Sequence, residues 1–330
     1  MCSYKLLNIN KKLIKTMDNF ANTKLLSKVA RLYYIENYLQ KDIARKLSLS
    51  RVAVSRLLSK AKAQKIVEIK INKFKGDYQD LELEIEEKFK INECVIVSSY
   101  DDSLNIFKEI ADSLSDILDR MVINGDYIGV SWGTSLGVIS EYLTVEKKEN
   151  IRVIPIIGGL GGIDKGINSN TIAKNFADSF GGISYVINCP AVLESAENKK
   201  LLENDSNVNQ IFKLSEKINI AIVGATDLGT ESSLYKFSYY SKKDVDYLTK
   251  LGVVGVVNLG SIDINGNHIS NAVDERTIAL SVDKLKNIKN VILIAVSKRK
   301  KDVIKAVLKS KMISVFLTDE ETAKAVLEKN

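Results

Sequence analysis

Two short amphipathic helices stand close together in residues 40–58, QKDIARKLSLSRVAVSRLL. The pattern predicts a first helix over Gln40–Leu47 and a second that begins after Ser50 and continues to about Lys65. Apolar residues recur in the second helix at positions i, i+3, i+4 and i+7, the spacing of one buried stripe: Val54, Leu57, Leu58 and Ala61. Ser50 suits the N-cap, because its hydroxyl can accept a hydrogen bond from an unpaired backbone amide. The segment therefore predicts a helix-turn-helix.

The opposite face of the second helix is short-chained and basic. It holds no carboxylate and consists of Arg51, Val52, Ser55, Arg56, Ser59 and Lys60. A helix that enters the major groove of DNA needs such a face, because its first residues approach the base edges while its cations meet phosphates. An ordinary helical hairpin with a solvated charged face is the alternative.

Positive charge is concentrated at the start of the chain. Residues 1–71 hold 16 Lys and Arg against 4 Asp and Glu, a net charge of +12. Since the whole chain of 330 residues carries +7, residues 72–330 carry −5. A solvated surface helix does not require this distribution, whereas a DNA-binding domain does.

The remaining segments around the helix pair complete an N-terminal domain. We expect a winged helix-turn-helix domain over residues 1–73, with a basic arm over 1–22 and a supporting helix over 23–36. The alternating segment IVEIKI at 66–71 predicts a strand at the start of the wing. Residues 74–91 follow as a linker helix, which is either a solvated connector or a packing helix with a role in dimerisation.

From residue 92 onward, strands and amphipathic helices alternate. Near-continuous apolar runs predict strands at 94–98, 127–131, 153–157, 184–188, 218–223, 253–258, 291–296 and 314–317. Helices are predicted at 103–122, 135–143, 170–180, 241–251, 300–310 and 320–329. This alternation predicts an α/β fold, a doubly wound parallel sheet over residues 92–330. The turn signal INGN at 264–267 predicts a short hairpin on its flank.

Composition narrows the class of protein. The chain is 45% hydrophobic and 27% charged, and it has no apolar run near the ~18 residues that span a bilayer. The N-terminus lacks a signal-peptide core, and Cys2, Cys94 and Cys189 are far apart, which fits a reducing cytosol. With His268 as the single histidine, we expect neither a zinc site nor a His-based triad, and we interpret His268 as a surface residue.

Two loops at the carboxyl ends of the predicted strands are rich in small and polar residues, and ligands of such sheets bind at those ends. Gly133, Thr134 and Ser135 stand at a helix start, which predicts either an anion site or a plain N-cap. The glycines of 158–162, followed by the polar segment 168–171, could bring backbone amides to a ligand or could form a flexible connection.

Two further loops at the same edge carry charge. Thr226 and Asp227 follow another strand, where Asp227 could accept sugar hydroxyls or cap a turn. The four cations of 298–301 could clamp a phosphate, or form a solvated cluster. None of the four loops matches a dinucleotide fingerprint or a Walker A motif.

Together, the two halves resemble the SorC/DeoR family of bacterial sugar-binding transcriptional regulators. The resemblance covers roughly residues 22–330 and rests on VARLYYIE (29–36), QKDIARKLSLSRVAVSRLLSKAKAQKIVEIKI (40–71), VSWGTSLGVISEYL (130–143), GG (158–159), NTIA (170–173), DERTIAL (274–280) and VFLTDEETAKAVL (315–327). It implies a winged-helix DNA-binding domain and an effector domain similar to phosphosugar isomerases and deaminases that senses without catalysis. It also implies tetramers on paired operators and a phosphorylated sugar as effector. By position, Thr134 and Ser135 match the phosphate-binding loop of the family, and Lys300 matches the lysine of a late motif.

The chain departs from the family pattern at several positions. Ser48 stands where the turn between the two DNA-binding helices usually has Gly, at a modest expected cost. Ile157 replaces a polar or cationic residue, Val256 an acidic one, and Val296 and Ser297 the Gly pair before Lys300. These changes suggest an unusual or weakened effector site.

We expect a cytoplasmic DNA-binding regulator of a sugar operon, acting as a repressor and a homotetramer, with no cofactor and no membrane partner. The residues expected at operator DNA are Gln40, Ser50, Arg51, Val52, Ser55, Arg56, Lys60 and Lys62. Those expected at a sugar-phosphate effector are Gly133, Thr134, Ser135, Gly158, Gly159, Asn168, Asn170, Thr171, Thr226, Asp227 and Lys300. Two alternatives remain open: a sugar-phosphate isomerase or deaminase, and a DNA-binding protein whose C-terminal domain only oligomerises. The first lacks a convincing histidine or carboxylate pair.

Overall fold

The computed structural model describes residues 23–70, 76–159, 167–237 and 239–328. The chain divides into two compact units at the boundary between Lys75 and Gly76. The arm predicted over residues 1–22 and two glycines of the predicted ligand loop, Gly161 and Gly162, lie outside the described residues. Every described helix is too short or too polar to cross a bilayer.

The described part of the first unit consists of three helices, which lie where the sequence predicted helices. Helix α1 covers residues 23–34, α2 covers Gln40–Leu47 and α3 covers Arg51–Ala63. The Ser50 hydroxyl caps α3, because it accepts a hydrogen bond of 3.0 Å from the amide of Ala53. The apolar stripes face inward, and their buried members are Leu26, Val29, Ala30, Ile43, Ala44, Val54, Leu58 and Ala61.

The strand predicted at 66–71 does not form over residues 66–70, so the described part of the first unit has no wing strand; Ile71 lies outside the described residues. The amides of Ile66 and Val67 both donate to the carbonyl of Ala61, which closes the C-terminal end of α3. Both side chains are half-buried beside Leu26 and Ala61, rather than on opposite faces of a strand. The prediction was wrong here because capping of the helix end uses the amides that a strand would offer to a partner.

A seven-stranded parallel sheet forms the second unit. Its spatial order is β1 (Glu93–Val97), β9 (Val315–Asp319), β8 (Asn290–Ile294), β5 (Ile220–Asp227), β2 (Tyr127–Val130), β3 (Arg152–Pro155) and β4 (Ile183–Ser184). All neighbours on this path are parallel. Strand β4 is shorter than predicted, because the amide and carbonyl of Ile187 bind the side chain of Asn170 instead of another strand.

Helices cover both faces of the sheet, as predicted. On one face lie α5 (Ser103–Met121), α6 (Thr134–Tyr142) and α7 (Ser169–Phe180). On the other lie α4 (Gln79–Phe89), α13 (Lys301–Lys309) and α14 (Glu320–Leu327). The central strands contribute side chains to the cores on both faces of the sheet. Ile222 points into the core beside α5–α7, and its neighbours Ala221 and Val223 point into the core beside α4, α13 and α14.

The segment 76–91, for which the sequence left a connector and a packing helix open, packs on the second unit. Ile85 and Phe89 of α4 are buried beside Ile96 and Val326. Its acidic side chains also face β1, because the Glu82 and Glu86 carboxylates accept hydrogen bonds of 2.8 Å from the amides of Ile96 and Cys94.

An antiparallel hairpin extends the sheet at the carboxyl end of β5. It consists of β6 (Val253–Val257) and β7 (Gly260–Asp263). The sequence predicted β6 as a strand of the parallel sheet, which was wrong, and did not predict β7. Strand β5 is eight residues long, so its first part pairs with β8 up to Gly224 and its last part, Ala225–Asp227, pairs with β6. The predicted turn at 264–267 follows β7 and is confirmed, since the Asp263 carboxylate accepts from the amides of Asn265 and Asn267.

Several shorter helices complete the second unit. These are α8 (Ala196–Asn204), α9 (Ser206–Ser215), α10 (Ser233–Lys236), α11 (Lys242–Lys250) and α12 (Val282–Leu285). The sequence predicted α11 and missed the others. In α8 the reason is clear: the helix has no buried residue, and Leu201 is 71% exposed, so it offers no apolar stripe to detect.

Replacing Ser48 by glycine should stabilise the first unit. Ser48 ends α2 with φ 53° and ψ 42°, a left-handed conformation that costs an L-residue about 1 kcal/mol relative to glycine. Glycine also increases the conformational entropy of the unfolded chain, which lowers the free energy of unfolding by about 0.5 kcal/mol. We therefore expect S48G to raise the free energy of unfolding by about 0.5 kcal/mol in urea denaturation followed by circular dichroism. The matched control S59G, at an exposed position inside α3, should lower it by a similar amount. An S48G protein no more stable than the parent would contradict the described turn.

Candidate functional site

A partly open cavity lies at the carboxyl ends of β2, β5 and β8. The hairpin closes one side of it with Val256, Asn258 and Leu259, and the loop after β2 closes another. The lining residues are Trp132, Gly133, Thr134, Ser135, Leu136, Gly224, Ala225, Thr226, Ser233, Val256, Asn258, Leu259, Ile294 and Lys300. Five predicted effector residues meet here: Gly133, Thr134, Ser135, Thr226 and Lys300.

The N-terminus of α6 opens into this cavity without a side-chain cap. Gly133 is its N-cap residue, with φ 131°, a conformation that favours glycine. The Gly137 amide makes the first intrahelical bond, to the carbonyl of Gly133. The amides of the three residues in between therefore have no helical acceptor, and they carry the positive end of the helix dipole.

Lys300 faces the same cavity and differs from the cations beside it. Lys298 pairs with Glu321 at 2.9 Å, Arg299 with Asp227 at 2.5 Å, and Lys301 with Glu328 at 3.3 Å. Within the described chain the half-buried Lys300 ammonium has no hydrogen-bond or ion-pair partner. Burial lowers the pKa of Lys300, and the nearby Asp227 carboxylate opposes that shift without cancelling it.

Thr226 and Asp227 take different roles, because successive residues of a strand point to opposite sides. Thr226 lines the cavity, and its Oγ1 is buried with no hydrogen-bond partner among the described residues. Asp227 lies outside the lining; its Oδ1 accepts from the Gly229 amide at 2.7 Å and from Arg299. Its second oxygen, Oδ2, is buried and also without such a partner.

The other predicted effector residues lie elsewhere. Gly159, Asn168 and Asn170 line a second cavity together with Ile187–Pro190, and Thr171 is in the first turn of α7. Asn168 caps α7 through the amide of Asn170. Of the effector residues predicted as one set, five line the first cavity and three line the second, whereas Gly158, Thr171 and Asp227 line neither.

The amides of Gly158 and Gly159 are not available to a ligand, contrary to the expectation. They donate to the carbonyls of Ile278 and Cys189. A Cβ on Gly158 would lie 2.7 Å from the carbonyl oxygen of Pro190. Glycine is needed at 158 because the neighbouring chain passes so close, not because a ligand does.

The four departures from the family pattern that lie in the effector half occupy different environments. Ile157 is fully buried in an apolar cluster with Trp132, and Val256 lines the first cavity. Val296 is half-buried beside the core, and Ser297 has φ 130°, where glycine would be unstrained.

Asn258 is a site residue that the sequence interpretation missed. It is buried, and its Nδ2 donates to the carbonyls of Ile156 at 3.2 Å and Leu280 at 2.9 Å. Its Oδ1 accepts from the Ser131 hydroxyl at 2.7 Å. With φ 49° it also forms the reversal between β6 and β7, a conformation that asparagine tolerates better than most residues. One side chain therefore fixes the hairpin to the ends of β2 and β3.

His268 is not the surface residue that the sequence suggested. It is half-buried, its Nε2 lies 2.9 Å from the Asp274 carboxylate, and its Nδ1 lies 4.0 Å from Asp283. The chain folds back on β7 after the 264–267 turn, through a bridge between Ile262 and His268, and this turns the ring inward. The hydrogen bond to Asp274 is the largest cause that raises the pKa of His268. In the residues described, no three His, Cys, Asp or Glu side chains form a group that could hold a metal ion.

The basic face of α3 is exposed to solvent in the first unit. Arg51, Val52, Ser55, Arg56 and Lys60 are all exposed, and their side chains form no hydrogen bond or ion pair with another described residue. Two other predicted DNA-binding residues are also placed: Lys62 stacks over the Tyr34 ring at 5.8 Å, and Gln40 begins α2, half-buried.

Comparisons with known proteins give one consistent result. The Sugar-bind family model, which describes a sugar-binding domain, matches residues 74–328. The chain is 29% identical over 305 residues to the deoxyribonucleoside regulator of Bacillus subtilis (strain 168), covering 92% of this chain and 97% of that protein. It is 28% identical over 318 residues to the sorbitol operon regulator of Klebsiella pneumoniae, covering 94% of this chain and 100% of that protein.

Solved structures agree with these sequence matches. The crystal structure of full-length SorC, the sorbitol operon regulator of Klebsiella pneumoniae, matches with a TM-score of 0.73 and 27% identity over 93% of this chain and 100% of that one. A DeoR family transcriptional regulator from Listeria monocytogenes matches with a TM-score of 0.68 and 26% identity, over 75% of this chain and 98% of that one.

The ion pair of His268 should make stability depend on pH. Since the folded pKa lies above the ordinary value of 6.5, the pair stabilises the fold fully below pH 6.5, and the contribution is lost as pH rises through the folded pKa. We expect the parent to be more stable than H268Q below pH 6.5 and the two to converge at higher pH. Urea denaturation between pH 5.5 and 9 measures this. A stability difference that does not change with pH would contradict a protonated His268–Asp274 pair.

Proposed function

We propose, since the chain belongs to the Sugar-bind family, that it is a DNA-binding transcriptional regulator controlled by a sugar-type effector. Two relatives that it matches over nearly its whole length are named as a deoxyribonucleoside regulator and a sorbitol operon regulator. The observation that carries the proposal is the unpaired cationic face of α3, in a chain whose second unit matches a sugar-binding domain.

The first unit would bind operator DNA through α3. Arg51 and Arg56 have no acidic partner among the described residues, so phosphates or guanine edges would be their partners. Ser55 offers a hydroxyl on the same face, and Lys60 and Lys62 would contact the backbone. Ser50 caps α3, and Gln40 at the start of α2 would complete the contact.

The first cavity would bind the effector, and its charge favours an anion. The free amides of α6 and the Lys300 ammonium provide positive charge from two directions, an arrangement that suits a phosphate group. The buried Thr226 hydroxyl would accept or donate a hydrogen bond to the sugar. These contacts support a phosphorylated sugar. Asn168 and Asn170 would contribute only through the second cavity.

Regulation without turnover fits the cavity better than enzyme chemistry. Lys300 is the one titratable side chain in its described lining, so neither a carboxylate nor a histidine is placed to act as a general base. We propose that the protein forms homotetramers, as the family resemblance implies, and that it is cytoplasmic and acts as a repressor.

Removal of the two α3 arginines should strongly weaken operator binding. Each lost base or phosphate contact costs about 1–3 kcal/mol, so the loss of both in R51A/R56A should weaken binding to a selected operator by at least about thirtyfold. Fluorescence anisotropy at fixed salt measures this, and the matched double variant R120A/R152A in the second unit should bind as the parent does. Unchanged affinity of R51A/R56A would reject α3 as the DNA-binding helix.

Lys300 should be required for the effector and not for the fold. In a thermal-shift screen, at least one sugar phosphate should stabilise the parent, by about 2.7 kcal/mol at 100 times its Kd, and more than its unphosphorylated counterpart does. We expect K300M to lose this shift while its ligand-free stability is unchanged or higher, because an uncompensated half-buried charge is removed.

The control for this experiment is K298M, which alters a paired surface lysine two residues away. It should keep the full shift. A K300M protein that keeps the parent's response to the sugar phosphate would contradict the proposed anion site.

A further inference from the structure

The exposed face of α3 carries one large apolar side chain, Val52, and we propose that it reads the 5-methyl group of a thymine in the major groove. The inference rests on the DNA-binding function proposed above. It deepens that function by assigning a base preference to one residue.

Val52 differs from every other large apolar residue of α3 in its environment. It is 62% exposed, whereas Val54 and Leu58 are 0% and 5% exposed in the core of the unit. The core therefore does not require an apolar residue at position 52. An apolar group exposed in the free protein gains free energy only when something covers it.

The residues around Val52 indicate what covers it. Val52, Ser55, Arg56 and Ser59 stand at i, i+3, i+4 and i+7 and form one stripe along α3. Val52 is the second residue of the helix, and no acidic residue occurs in α3. A stripe of one valine, two serines and an unpaired arginine fits the polyanionic groove of DNA better than an apolar protein surface.

The chemistry of the groove selects the base. Each base pair presents a distinct pattern in the major groove, and only thymine presents a methyl group there. The first turn of a recognition helix comes nearest to the base edges, and the small Ser55 and Ser59 allow the α3 backbone to approach. Val52 can form no hydrogen bond with its side chain, so the contact that it can make with a base edge is with this methyl group.

Uracil tests the contact directly, because it pairs as thymine does and lacks the methyl group. A duplex selected from a random-sequence library with the full chain is prepared with each thymine in turn replaced by uracil. For the parent, we expect one position per half-site at which uracil weakens binding by about fourfold, the value of one buried methyl group. For V52A, thymine and uracil should bind equally at that position.

The control is I69A, which truncates a residue 59% exposed in the same unit but outside α3. It should keep the parent's preference for thymine. Alanine is favourable inside a helix, so V52A should fold as the parent does. The proposal is overturned if the parent shows no dependence on any thymine methyl, or if the dependence survives in V52A. A parent that selects no DNA at all would refute the DNA-binding function itself, a result distinct from loss of methyl dependence alone.

Discussion

Unpaired positive charge is common to the two units, because among the described residues no acidic side chain pairs with Lys300 or with the exposed cations of α3. Leaving an ammonium partly desolvated and unpaired costs free energy, and folded chains normally avoid it. The segment 298–301 shows the difference, because three of its four cations have acidic partners and Lys300 has none. The exposed cations of α3 are unpaired in the same way, but in water, where the cost is small. In both units the described acidic side chains leave these cations without a partner.

The second unit places its unpaired charge through one long strand. Strand β5 serves the parallel sheet with its first five residues and the β6–β7 hairpin with its last three. The hairpin is fixed at its reversal by Asn258, whose side chain binds three groups from three different segments. The hairpin thereby places Val256 and Leu259 in the lining of the cavity that also holds the free amides of α6. The cavity therefore depends on backbone pairing and one buried amide, while Lys300 supplies the charge.

Much of this could be predicted from sequence, because strong periodicity determines local structure. The stripes of α2, α3 and α5 and the apolar runs of β1, β2 and β8 predicted those elements. The predictions failed where a distant partner decides the outcome. Residues 66–70 alternate as a strand would, but capping of α3 uses the amides of Ile66 and Val67. Gly158 was predicted to lie in a ligand loop, but glycine is needed there because Pro190 passes close to it. His268 was predicted to be exposed, but the chain folds back onto β7 and turns its ring inward. Thr134, Ser135 and Lys300, which line the candidate cavity, were predicted as site residues from residue type and position. Asn258 was not predicted, because nothing in the sequence distinguishes it from any other asparagine in a turn.

A regulator must bind DNA differently when its effector is bound, so operator binding by the first unit must be coupled to effector binding by the second. The most direct measurement is the affinity of the full chain for a selected operator, at fixed salt, with and without a saturating sugar phosphate that stabilises the parent. We expect the operator affinity to change by at least about fivefold, and the effector affinity to change by the same factor when operator is present. Equal operator affinity with and without bound effector would contradict it.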